Sequence, residues 1–224
     1  MKVERKLGRM SMGVIPLAAV ALILFMSAPS VAKEWIEYAS RADFFNVNLP
    51  GEPTVKDITY KSEYSITLPG RVYSAEDGPG RYSVTVVDWS DAKKRHADLV
   101  EACKANGGDG DQCNERSSTD LRGAIDYATW QLMDRDAKVT HFVYTQADRV
   151  EGRELHLTNR DGSRTFASIY MHENRLYVLE GTVPAGSPQP LLFQQSMGFL
   201  DRDGKSIRYD SPYSNGFPPP KRVR

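Results

Sequence analysis

Apolar and polar positions alternate from Phe45 onward. Phe45, Val47 and Leu49 are separated by Asn46 and Asn48, the period of a half-buried strand. Pro50-Gly51-Glu52-Pro53 then makes a turn. Val55 to Tyr60 and Ser62 to Leu68 are two weaker strands; Pro69-Gly70 breaks the second, and Arg71 to Ala75 resumes. Tyr82 to Trp89, rich in β-branched and aromatic residues, is the clearest strand in the chain. The period then becomes helical. Asp91 to Ala105 places Leu99, Val100 and Cys103 on one face. Beyond a Gly-rich loop, Ser118 or Thr119 can cap a second helix with the stripe Leu121, Ile125, Ala128 and Leu132. Four strands follow at Val139 to Tyr144, Val150 to Thr158, Thr165 to Met171 and Leu176 to Val183, the middle turn carried by Asp161-Gly162. Leu191 to Leu200 reads as a short last helix. Strands joined by short turns pair antiparallel. With helices between the strand sets, the pattern predicts an α+β domain on a mainly antiparallel sheet.

The first 32 residues follow other rules. Lys2, Arg5, Lys6 and Arg9 precede an apolar run from Val14 to Met26, and no charge follows Arg9 until Lys33. The stretch ends in Ser30-Val31-Ala32, where the small side chains of Ser30 and Ala32 suit the shallow pockets of a signal peptidase. This is the three-part layout of a secretory signal, with the cut between Ala32 and Lys33. The alternative is an uncleaved anchor, but the strongly apolar part is shorter than the roughly 20 residues of a spanning helix. No Cys stands near the cut to take a lipid, and no Arg-Arg pair marks a twin-arginine signal. The chain is therefore expected in the periplasm or outside the cell: residues 1–32 signal, 33–203 one domain, and 204–224 a polar tail, partly disordered.

In an oxidising compartment the two cysteines, Cys103 and Cys113, are expected to form a disulfide. Three glycines in the loop between them let it bend, and closing so short a loop stabilises the fold by about 3 kcal/mol. A redox pair would want the Cys-x-x-Cys spacing that lowers one thiol pKa. Asp109-Gly110-Asp111 fails as a calcium loop, because Cys113 and Asn114 fall where an oxygen ligand and Gly are needed.

Charge removes one class of partner. The 29 basic and 29 acidic residues of the whole chain cancel, and no basic excess points to nucleic acid. Pro218-Pro219-Pro220 would hold Lys221, Arg222 and Arg224 away from the domain, so membrane contact is expected only through this basic tip or an uncleaved signal.

The opening Phe45-x-Val47-x-Leu49-Pro50-Gly51-Glu52-Pro53 and the ending Phe193-Gln194-Gln195-Ser196-Met197 with Phe199 resemble those of exported bacterial proteins related to the PsbP-like α/β/α sandwich, the fold of an extrinsic photosystem II subunit. The resemblance covers residues 44 to 200 in element order, and in residues only the two ends. It implies proteins that bind or assist other proteins, and it supplies no active-site residue.

Chemistry-bearing residues are sparse. No His-Glu-x-x-His motif, no compact metal-ligand spacing, no Gly-x-Ser-x-Gly elbow and no phosphate loop occurs. His96, among Lys93, Lys94 and Arg95, reads as solvated; His172 lies in a turn; His156 faces away from Leu155 and Leu157. His141 shares a strand face with Val139 and Val143, and Glu180 lies either on the face of Leu176 and Val178 or at the strand's wet end. No catalytic residue, metal ligand or cofactor is assigned. The expected function is a non-enzymatic binding or assembly module with an envelope protein as partner. The alternatives are an envelope hydrolase drawing on His141 and Glu180, or a membrane-tethered factor. The exported protein is expected to begin at Lys33, and intact mass of the form recovered from the envelope checks it: retention of Met1 would restore the anchor.

Overall fold

A computed structural model of the chain describes residues 34–223. The expected signal segment, with its expected cut between Ala32 and Lys33, lies outside the described residues. Eleven strands and three helices run in the order β1 (Ile36–Ser40), β2 (Phe45–Leu49), β3 (Thr54–Lys61), β4 (Thr67–Asp77), β5 (Gly80–Asp88), α1 (Ala92–Ala105), α2 (Ser117–Met133), β6 (Ala137–Ala147), β7 (Val150–Asn159), β8 (Arg164–His172), β9 (Arg175–Val183), α3 (Leu191–Gln194), β10 (Gly198–Leu200) and β11 (Ser206–Ile207). A short 3-10 turn, Gly110–Cys113, separates α1 from α2. Seven strands form one antiparallel sheet in the order β3-β4-β5-β9-β8-β7-β6, and β1-β2-β10-β11 form a second. The broad expectation of an α+β domain on antiparallel sheet holds.

Both faces of the large sheet are buried along its inner strands, and alternation assigns each residue to one. Leu68, Val87, Leu155, Ala167, Ile169 and Leu176 meet Ala124, Ile125, Ala128 and Leu132 of α2. Tyr73, Val84, Val86, Tyr170, Tyr177 and Leu179 meet Phe45, Val47 and Leu49 of the small sheet, together with Phe193, Met197 and Phe199. One face is thus covered by helix, the other by sheet and α3. Central β8 has no exposed residue, as a strand sandwiched between two layers must.

A polar node ties the small sheet down. Asp43, in the β1–β2 turn, is 4% exposed. Its carboxylate accepts from Arg71 Nε at 2.7 Å and from the Tyr73 hydroxyl at 2.5 Å, and its carbonyl accepts from the Tyr177 hydroxyl at 2.8 Å. Burial and the bond to Asp43 push the Tyr73 phenol up to about 12. A carboxylate is tolerated at this depth because each of its oxygens has a donor, one of them a guanidinium.

Several expectations need correction. β4 runs straight through Pro69-Gly70. At Pro69 the β4–β5 ladder has already ended, its last pair being Gly70 with Val87, so the strand there is flanked only by β3. A Cβ on Gly70 would meet the Val86 carbonyl at 2.7 Å, so glycine is what lets the strands approach. The last helix is one turn, and Gly198–Leu200 instead add a strand to β2. On α1 the inward stripe is Ala92, His96, Val100 and Cys103, while Leu99 turns to solvent. Cys103 and Cys113 form the expected disulfide, with Cα atoms 5.6 Å apart. Gly108 sits against it, where a Cβ would come within 2.7 Å of both sulfurs.

The largest correction is the tail. Residues from 204 onward were expected to stand outside the core, but Ile207, Tyr209 and Tyr213 are buried in it. Tyr209 and Tyr213 stack at 5.1 Å, and both hold the end of β8. His172, expected in a turn, is the last residue of β8, 1% exposed, with Nε2 2.7 Å from the Tyr209 hydroxyl. The tip is engaged too: Arg222 pairs with Glu173, and the Val223 amide donates to the Arg208 carbonyl.

Burial, helped by Arg222 and Arg175, holds the His172 imidazole down at about 3. The unfolded reference is about 6.5, so between these values the unfolded chain binds the extra proton. The stability that His172 contributes is complete above about pH 6.5 and is lost as pH falls toward 3, to a limit of about 4–5 kcal/mol. Denaturant melts at pH 7 and pH 4 should differ in this direction, and His172→Phe should flatten the difference.

Candidate functional site

The two residues named for a hydrolase do not meet. Glu180 lies on β9 on the helix-covered face, paired across to Ala167 and Ser83. It binds Arg135, at the foot of α2, through both oxygens, one at 3.1 Å. His141 lies on β6, with β8 and β7 between it and β9, and on the opposite face. A carboxylate neutralised by a guanidinium and a histidine on the other side of a sheet cannot share a substrate.

Instead, His141 meets two residues that linear spacing kept apart. β6 and β7 pair Val139 with Leu157, but the next pair is His141 with His156, so Thr140 is an extra residue in β6. Such a bulge moves every later side chain to the other face. Without it His141 would oppose Leu155; with it His141 opposes His156 and Val143 opposes Glu154. His141 therefore parts from Val139 and joins Val143. His156 does lie opposite Leu155 and Leu157, as expected. The Thr140 hydroxyl donates to the His156 carbonyl at 3.2 Å and anchors the bulge. The rings of His141 and His156 stack at 4.4 Å, and His156 Nε2 is 2.8 Å from Glu154 Oε1. Phe166 packs edge-on against His156 at 4.7 Å. Two imidazoles and a carboxylate thus offer ligand atoms within 4.8 Å of one another, the one such set among the described residues and a set able to hold a metal ion. Short sequence spacing does not reveal this set, because cross-strand neighbours are set by register. The local signal was Glu154-x-His156, whose side chains must share a face if the segment is a strand.

The outer edge of the large sheet is the second feature. β6 is 11 residues long, pairs only with β7, and has no buried residue. Val139, Phe142, Val143 and Tyr144 are 38–53% exposed. Phe142 and Tyr144 pair with Leu155 and Arg153, which puts them on the α2 side. Arg153 reaches Asp126 of α2 at 3.4 Å. One turn beyond Asp126, the exposed Trp130 stacks on Tyr127 at 5.8 Å, beside a groove of about 770 Å³ also lined by Tyr64 and Arg122. Tyr60, Tyr73 and Tyr82 pack inward against Trp89, Phe45 and Phe193.

His96, expected in solvent, is 3% exposed. Its Nε2 is 2.9 Å from Asp120 Oδ2, which also accepts from the Ser62 hydroxyl at 2.5 Å. All three side chains are buried, so the cluster clamps α1, α2 and the β3–β4 loop. Serine and histidine both bind the carboxylate, whereas a hydrolytic triad needs histidine between the other two. Asp120→Ala would leave a buried hydroxyl and a buried imidazole unpaired and should cost about 3 kcal/mol in a urea or thermal melt.

No protein-family model and no curated protein matches this chain, so the roles of its residues rest on geometry and chemistry alone.

Proposed function

We propose that the protein is an exported, non-enzymatic binding or assembly module of the cell envelope, which takes an extended segment of a partner protein along β6. The observation that carries this reading is the edge itself. An unpaired strand presents a row of N–H and C=O groups ready to pair, and stable proteins blunt it with charge or cover it. The opposite edge, β3, carries Lys56, Asp57 and Lys61. β6 has one charge, Lys138, and is otherwise aliphatic, aromatic and neutral polar. A strand added there would gain main-chain hydrogen bonds along β6. It would set alternate side chains against Phe142 and Tyr144.

Export supports the same reading. The signal-like layout of residues 1–32, the disulfide, and the absence among the described residues of any helix long and apolar enough to cross a membrane agree with a periplasmic or secreted protein. We extend the proposal to kinship with the PsbP-like sandwich, supported by the strand-and-turn opening at β2 and by Phe193, Met197 and Phe199 meeting it in the core.

A photocrosslinking residue at position 142 tests the edge in intact envelopes, with one at Val55 on β3 as control. A single adduct is expected at 142 and not at 55, abolished by Tyr144→Lys. An adduct with the mass of two copies of this chain would replace the partner with self-pairing, and no adduct at 142 would overturn strand addition.

A further inference from the structure

We propose that His141, Glu154 and His156 form a binding site for a first-row divalent transition metal, with zinc as the best match, leaving at least one coordination position open to solvent. The site goes beyond strand addition at β6, because its ligands lie on the opposite face from Phe142 and Tyr144.

The donor set comes first. Neutral imidazole and carboxylate suit zinc, nickel and copper, whereas magnesium and calcium want oxygen ligands throughout. Zinc bonds of about 2.0–2.2 Å place neighbouring ligand atoms about 3.3 Å apart. The three ligand atoms here already lie within 4.8 Å of one another, with no ion present. Rotation of the side chains, beginning with the stacked His141 and His156 rings, is the movement that would close the gap. Each ligand has the freedom its part requires. His156 and Glu154 are half-buried, and Phe166 holds the His156 ring. His141 is exposed on an edge strand and free to swing inward.

The backbone supplies an independent argument. A bulge interrupts pairing and leaves one residue unmatched, so sheets place it where a side chain must be re-aimed. The single register shift along β6 falls immediately before His141 and delivers that residue to the face of His156 and Glu154. A regular ladder would place Thr140 there and His141 among the apolar residues of the other face.

Competing ligands are few. The chain has four histidines and two cysteines. His96 and His172 are buried on Asp120 and Tyr209, and both cysteines are in the disulfide. Two cations share this face: Arg164 lies over Phe166 and donates to the Ser187 carbonyl, and Lys138 stands on β6 opposite Thr158. Three protein ligands with the fourth position free is the arrangement of zinc sites that keep a water or accept an outside ligand.

Titration of the purified, tag-free protein against a chromophoric zinc chelator tests the site. One zinc per chain is expected, with nickel and copper competing and magnesium and calcium not. His141→Ala should weaken binding by at least about tenfold. Because this residue is exposed, its loss leaves the fold intact and is the decisive variant. Glu154→Gln and His156→Gln should weaken binding similarly, and Glu180→Gln should leave it unchanged. A cobalt-substituted sample should lose its visible absorption bands in His141→Ala. Zinc binding that survives His141→Ala undiminished, or no binding by the unaltered protein at about 100 µM zinc, would overturn the site; neither result bears on the crosslink at position 142.

Discussion

Everything in this fold follows from a seven-stranded sheet that is apolar on both faces. β8 and β9 carry Ala167, Ile169, Met171 and Leu176 toward one side and Tyr170, Tyr177 and Leu179 toward the other. Burying a large apolar side chain is worth roughly 1.5–3 kcal/mol, so neither face can be left in water. α2 covers one with small and medium side chains. The other needs a broader lid, and the chain builds it from its two ends: β1 and β2 at the start, and β10, β11, Tyr209 and Tyr213 at the finish. Chain segments about 150 residues apart in sequence are thereby made one layer.

That layer is apolar underneath but is positioned by polar contacts. Asp43 reaches from the small sheet to Arg71, Tyr73 and Tyr177 on three positions of the large one. At the far end His172 and Tyr209 make the equivalent tie. On the helical side Asp120 does so with His96 and Ser62. Apolar packing tolerates small shifts, whereas a buried carboxylate or imidazole without its partner costs a desolvation penalty. The polar ties therefore set the register of layers that hydrophobic burial alone would only hold together.

The two proposed sites lie where the covering layers stop. α2 spans β7, β8 and β9, and the small sheet with the C-terminal segment lies over β4, β5, β8 and β9. Each touches β6 only at an end, through Ala137 or Ala147, so along its middle one face offers aromatic side chains and the other offers His141, Glu154 and His156. The two faces can work separately because side chains alternate along a strand. The Thr140 bulge is what decides which residues fall on which side.

Local period was enough for β2, β5, β7, β8, β9 and the buried stripe of α2, because each repeats its apolar positions at the spacing of its own element. It was also enough to place His156 opposite Leu155 and Leu157, and to pair Cys103 with Cys113 across a flexible loop. What it could not provide depends on neighbours distant in sequence. Pro69-Gly70 reads as a break until Val86 requires a glycine beside it. His96 reads as solvated until Asp120 and Ser62 arrive from other elements. Ile207, Tyr209 and Tyr213 look too sparse for a core until the uncovered face of β8 supplies one. His141 and His156, separated by the rest of β6, one tight turn and the start of β7, become neighbours only through strand pairing and one inserted residue. Composition and period thus determined the class of the domain and most of its elements; register and layer packing, which depend on contacts between remote segments, decided what those elements bring together.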